Sequence, residues 1–197
     1  WNYGITLALS LVASLFSARL FIIQHDCGHG SFLPSRKWND IFGYFCSLFS
    51  MVPYYYWRRQ HNLHHASNGN LDRRGHGDMD VVTVKEYLAL NKNERFYYRM
   101  YRNPLVFLTI GPLALFFKIN RIVSDPKQYS ARDRRNVWIT NLTIIATFAL
   151  LSLWIGIIPV LKIAVPILAT AAGLGIWLFY IQHQFEHTYW RAGSEWN

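Results

Sequence analysis

The sequence predicts an all-α protein: a multi-pass bundle of membrane helices with interfacial helices and a histidine-rich metal site at one bilayer face. Three observations predict it. Long apolar runs alternate with basic, polar segments, a pattern that separates membrane proteins from soluble ones better than mean composition does. All of the eight histidines except His76 fall into three tight groups, HDCGH (His25, His29), HNLHH (His61, His64, His65) and HQFEH (His183, His187). Each group follows directly on an apolar stretch. Imidazoles spaced i, i+3, i+4 leave a helix from one face, and neutral imidazole is the commonest protein metal ligand.

The elements follow in order. Tyr3–Ile23 is apolar over about a spanning length, interrupted only by Arg19. Ile41–Trp57 is a second apolar run ending in Tyr54, Tyr55, Tyr56 and Trp57, an aromatic end suited to the headgroup boundary. Leu105–Phe117 is short and broken by Gly111 and Pro112. Val137–Ile158 and Ile163–Gln182 are joined by a few residues around Pro159 and Lys162, which predicts an antiparallel helical hairpin.

Parity constrains this layout. Clusters that share one metal site must lie on one side of the bilayer, so neither Ile41–Trp57 nor Leu105–Phe117 spans it. On hydropathy alone Ile41–Trp57 reads equally well as an ordinary transmembrane helix. Its shortness, with Ser47, Ser50 and Pro53, suits an interfacial or re-entrant segment. Of the 20 Lys and Arg residues, only Lys162 falls in the turn placed on the far side. The positive-inside rule therefore puts the histidines on the cytoplasmic side.

Composition sets the remaining bounds. A chain of 197 residues that is 52% hydrophobic and 17% aromatic makes one domain, 1–197, with a substantial apolar interior. A net charge of +9 would suit nucleic acid, but the basic residues sit between apolar runs. Anionic lipid is therefore the expected partner and nucleic acid is not. Cys27 and Cys46 form no disulfide framework. Cys27, offset from both neighbouring histidines, reads as a filler facing away rather than a thiolate ligand. The chain opens at Trp1 and stops at Asn197 with no signal-peptide pattern, and the expectation is a domain incomplete at both ends.

Imidazole suits iron, copper, zinc and nickel alike, so the ligand type does not identify the metal. Asp26 and Glu186 sit within clusters, either as solvated carboxylates or as acceptors for the far nitrogen of a liganding histidine. His76, in GHGD, reads as a solvated loop residue. Trp57, Tyr56 and Trp177 are candidates for the walls of an apolar tunnel.

The strings FIIQHDCGHGSF (Phe21–Phe32), WRRQHNLHH (Trp57–His65) and FYIQHQFEHTYW (Phe179–Trp190) resemble those of the membrane fatty acid desaturases, specifically the bacterial and plastid-type omega-6 (delta-12) acyl-lipid branch. The similarity runs along essentially the whole chain. It implies an oxygen-dependent desaturase that introduces a cis double bond into a lipid-linked acyl chain at two non-haem iron ions. His25, His29, His61, His64 and His65 match the family's catalytic iron ligands, His183 matches an additional one, and His187 is a less firm candidate for the metal. The resemblance further implies electrons from an external ferredoxin-like or cytochrome b-type donor. It implies a bacterial inner-membrane or plastid-type location. Arg58, Arg59, Arg73, Arg74 and the basic stretch from Lys118 to Arg135 offer a surface for an acidic donor or for lipid headgroups. The family carries a final HxxHH box downstream of the last span. HQFEH is not that box, so the ligand set here is incomplete and the chain as given is expected to be inactive alone.

Two other readings remain. Another histidine-rich membrane oxygenase, such as an alkane hydroxylase or a carotenoid ketolase or hydroxylase, would differ in box spacing and release an oxygenated product. A membrane metal-binding or transport protein would carry its polar ligands near the bilayer midplane, whereas these histidines sit at the ends of apolar runs.

Overall fold

The computed structural model describes residues 2–75, 79–123, 125 and 127–196; the expectation for His76 lies outside them. Eight α-helices form among the described residues: α1 (Tyr3–His29), α2 (Arg36–Ser50), α3 (Tyr54–Ser67), α4 (Val84–Ala89), α5 (Lys92–Tyr101), α6 (Pro104–Ala114), α7 (Ala131–Ile155) and α8 (Ile157–His183). Of these, α1, α7 and α8 are long and apolar enough to cross a membrane. Their outer faces are unpaired hydrocarbon: Leu153 and Trp154 are 85% and 81% exposed, an arrangement that water would penalise and lipid accommodates.

The first helix outruns its apolar stretch. It continues through HDCGH to His29, where Gly30 adopts φ 77° and its N–H bonds the Asp26 and Cys27 carbonyls. A left-handed residue just past a helix end satisfies orphan carbonyls and favours glycine. HDCGH therefore lies within the last turns of α1.

Ile41–Trp57 does not form one helix. Met51 at φ 57° ends α2 and Pro53 precedes α3. Gln24 of α1 donates to the Val52 carbonyl at 3.3 Å and accepts from the Ser50 hydroxyl at 2.5 Å. The α2–α3 corner is thus anchored on α1 at the residue just before His25, and α3 then runs alongside the end of α1.

The segment after α5 behaves similarly. Among the described residues α6 runs unbroken through Pro112, contrary to the expected break, and continues into a π-helical turn over Leu115–Ile119. Gly111 lies against Ile176 of α8, where an added Cβ would come within 3.2 Å. Phe107 meets Tyr180, with ring centroids 5.5 Å apart. This helix therefore descends along α8 from the histidine end. Arg121 ends the descent, bonding the carbonyls of Phe116 (2.8 Å) and Met51 and the Asn141 side chain (3.2 Å). Asn141 lies ten residues into α7, roughly 15 Å along its axis. By Ser130 the chain is back beside α3.

The last hairpin turns on one residue. Gly156 (φ 86°, ψ 152°) separates α7 from α8, so Pro159 and Lys162 belong to α8 and not to the expected connection. The Tyr3 hydroxyl donates to the Lys162 carbonyl at 3.3 Å, so α1 and α8 start together and run parallel. The start of α7 packs on α3, where the Tyr55 N–H bonds the Asn136 side chain at 2.9 Å. Lys162 and Gly156 mark one end of the bundle and the histidines the other.

Candidate metal centre

Six of the seven candidate histidines meet at that end. His25 and His29 leave the last turns of α1, and His61, His64 and His65 leave one face of α3. The tail beyond α8 is tied to the segment beyond α3: the Leu71 N–H donates to the Arg191 carbonyl (2.8 Å) and the Arg191 N–H to that of Gly69 (2.9 Å). Asp72 accepts from the Gly193 N–H at 2.6 Å. This strap fixes the end of α8 beside α3, with His183 at His64.

The rings form a quartet and a pair. One ligand atom from each of His25, His29, His61 and His65 lies within 4.8 Å of the others. The Nε2 separations are 3.2 Å for His25–His29, 3.0 Å for His29–His61 and 3.1 Å for His61–His65. His64 and His183 pair at 2.8 Å. An ion held at about 2.0–2.1 Å by imidazoles sets neighbouring nitrogens roughly 2.9–3.4 Å apart, from octahedral to tetrahedral geometry. Three successive pairs of the quartet have that spacing.

Tautomers support the same reading. His183 Nδ1 lies 2.8 Å from the Phe179 carbonyl, which can only accept. His25 Nδ1 lies 3.0 Å from the Asp26 carboxylate. Each Nδ1–H donates outward, which leaves the Nε2 lone pair facing the other rings. Burial, with the neighbouring histidines His25, His65, His29 and His64, lowers the pKa of His61 to about 3. His65 is lowered as well, again mainly by burial. Both rings are therefore neutral at ordinary pH, the form that binds metal.

The remaining expectations divide. Asp26 does accept from a histidine of the quartet. Glu186 lies only near His187, at 4.0 Å, and both side chains are about nine-tenths exposed. His187 takes φ 68° and is not brought to the cluster. Cys27 is fully buried beside Gly43 and points away from the rings. Tyr56 belongs to a small core with Tyr129 and Val137 rather than to a wall of the site. Trp177 is 47% exposed on α8, whereas Trp57 stacks on His61.

Two supports were not legible beforehand. Asp40 on α2 faces Arg58 at 2.5 Å, Arg36 at 3.5 Å and Arg132 at 3.8 Å, and accepts from the Tyr54 hydroxyl at 3.2 Å. Asn136 caps the first turn of α3 from 81 residues away. The pairing of such distant residues leaves no local signature in the chain.

A helical chain with three helices long and apolar enough to cross a membrane, gathering six imidazoles at one end of its bundle, fits the class of membrane proteins whose histidine clusters could hold metal. The comparisons narrow it: the family model described as "Fatty acid desaturase" matches residues 1–195, and the chain belongs to that family. It is 39% identical to the "Fatty acid desaturase" of Bacillus subtilis over 196 residues, covering 100% of this chain and 55% of that protein. It is 29% identical to the "sn-2 acyl-lipid omega-3 desaturase (ferredoxin), chloroplastic" of Arabidopsis thaliana over 192 residues, 90% of this chain and 41% of the relative. The "Probable fatty acid desaturase DES1" of Sorghum bicolor is 27% identical over 188 residues, 90% of this chain and 47% of the relative. The chain thus spans about half the length of the curated relatives it matches. No solved structure matches it.

Proposed function

We propose that this chain carries most of the metal site of an oxygen-dependent acyl desaturase of the membrane. The observation that carries the reading is the imidazole quartet, three of whose Nε2 pairs stand at coordination spacing, in a chain of the desaturase family. His25, His29, His61 and His65 would hold one iron ion. His64 and His183 would contribute to a second, and two imidazoles leave most of that ion's coordination to other donors. When bound, the irons supply the oxidising power: two hydrogens from adjacent methylenes, with two electrons and two protons from outside, reduce dioxygen to two waters.

The residues do the rest. Asp26 and the Phe179 carbonyl hold the Nδ1 protons of His25 and His183, so their Nε2 atoms stay free of protons. Trp57, with Phe21 edge-on at 5.3 Å, covers the His61 face of the quartet on the α1 side. The apolar surfaces of α1, α7 and α8 admit a lipid-linked acyl chain from the bilayer. The basic end of the bundle, including Arg58, Arg59, Arg73, Arg74 and the cations of 118–135, receives an acidic ferredoxin-like or cytochrome b-type donor. One relative's name carries "ferredoxin". By the positive-inside rule this end faces the cytoplasm, in a bacterial inner membrane or a plastid-type one.

Expression of the intact protein in a host rich in monounsaturated lipids, followed by gas chromatography of its fatty acids, tests the reading. An added double bond is expected with the native sequence and with His187→Ala, and none with His64→Ala. Unchanged lipids despite good expression and a supplied donor, or an alcohol in place of an alkene, would overturn it.

A further inference from the structure

His61 is the most crowded ring of the quartet, yet no described residue accepts or donates at its Nδ1. His25 has Asp26 and His183 has the Phe179 carbonyl. His29 and His65 also lack such a partner among the described residues, but they are exposed and water can serve them. A liganding histidine normally has its far nitrogen tied, which fixes the ring. Something else must fix His61.

Trp57 stands one turn before His61 on α3, at the i, i+4 spacing that brings side chains together. Their rings are stacked, with centroids 4.6 Å apart and planes within 16°. The indole is itself confined: Phe21 meets it edge-on at 5.3 Å, and Gly28 lies directly beneath. A Cβ at Gly28 would come within 3.1 Å of Trp57 Cζ3. Gly28 is the glycine of HDCGH and Trp57 opens WRRQHNLHH, so the two motifs interlock at this contact. Gly28 is helical, and its use here is the absence of a side chain, not backbone freedom.

We infer that Trp57 is a positioning residue whose indole holds the His61 imidazole at its liganding angle, and that Gly28 is small so that the indole can reach that place. The inference rests on the metal reading proposed above. It assigns Trp57 a role toward a ligand rather than toward the acyl chain.

The test titrates the purified intact apoprotein in detergent with cobalt(II) alone, followed by visible absorption. Trp57→Leu should weaken cobalt binding roughly tenfold or more, the range seen when support of a liganding histidine is lost, and alter the band shape. Trp57→Phe, which keeps a stacking face, should retain most of the affinity and the native spectrum. Gly28→Ala should resemble Trp57→Leu and add little to it in the double variant, because it acts through the indole. Circular dichroism checks folding, and Trp57→Met replaces Trp57→Leu if that variant does not fold. Native affinity and spectrum in the ringless variant, or full additivity with Gly28→Ala, would overturn the inference. His61→Ala separates the two levels. If it binds cobalt like the native protein, the metal reading fails and takes this one with it. If it loses cobalt while Trp57→Leu does not, only the positioning role fails.

Discussion

Gly43 occupies the tightest contact in the support of the histidine cluster. A Cβ there would stand 2.4 Å from Tyr54 Cε2 and 2.8 Å from the Cβ of Cys27, so α1, α2 and α3 meet at a point with no room for a methyl group. Tyr54 is fully buried and its hydroxyl shares one proton between the Cys27 carbonyl at 3.1 Å and the Asp40 carboxylate at 3.2 Å; burial pushes its pKa up to about 12, with Asp40 adding to the rise and Arg58 opposing it, so it remains a donor. Gly43→Ala is expected to cost about 1–3 kcal/mol of overpacking, read as a lower melting temperature in detergent. An unchanged melt would mean that the three helices separate easily. At this scale the sequence was informative about chemistry and silent about packing. The spacing of the histidines displayed their shared faces, whereas the needs of Gly28 and Gly43 arise from rings on other helices.

Arg121 joins three elements that are remote in sequence: the π-helical turn, the α2–α3 corner and α7. Its guanidinium also stacks over Phe116 at 4.9 Å, and burial lowers its pKa to about 10. Arg121→Met should lose about 1–3 kcal/mol, since several part-buried acceptors are left unpaired. Arg121→Lys should not restore the loss, because an ammonium cannot reach them as a planar fork does. Thermal unfolding of both variants checks this. The start of α4 responds to acid instead. Glu86, bonded first by Arg74 and then by the Thr83 N–H and hydroxyl, has its pKa lowered to about 2. A depressed carboxyl pKa contributes stability above its ordinary value of 4.5 that disappears as pH falls through about 2. Amide exchange in α4 should accelerate over that window and, in Arg74→Ala, at higher pH. Exchange insensitive to both changes would remove Glu86 from the cap. Elements of this kind were the least legible. Hydropathy exposed the apolar runs, but the split at Met51 and the passage through Pro112 are settled by tertiary partners.

Across the whole molecule, the two segments between the clusters dip into the bundle and return to the end they left. Parity required that neither Ile41–Trp57 nor Leu105–Phe117 cross the bilayer; the first is split at Met51 and Pro53, and the second belongs to a helix pair bent by 76° that has the form of a broken span or a re-entrant loop. Parity was readable because it needs only the positions of the ligands; the depth of each dip was not, because it depends on Gln24, Ser50 and Arg121. Labelling with a membrane-impermeant maleimide tests the sidedness, and the native Cys27 and Cys46 are buried and give little background. Arg135→Cys should react only from the cytoplasmic side and Ile158→Cys only from the opposite side. Reaction of both from one side would abolish the proposed arrangement in the bilayer.

Gly156 carries a further consequence. Its φ of 86° and ψ of 152° lie in a region essentially reserved for glycine, and it alone joins two helices of 25 and 27 residues. With no slack in that joint, the axial height of the final helix is dictated by the one before it. A residue inserted there would rotate that helix by about 100° and lift it about 1.5 Å, displacing a ring at its other end. The register of the histidine cluster is thus set in part at the opposite pole of the protein.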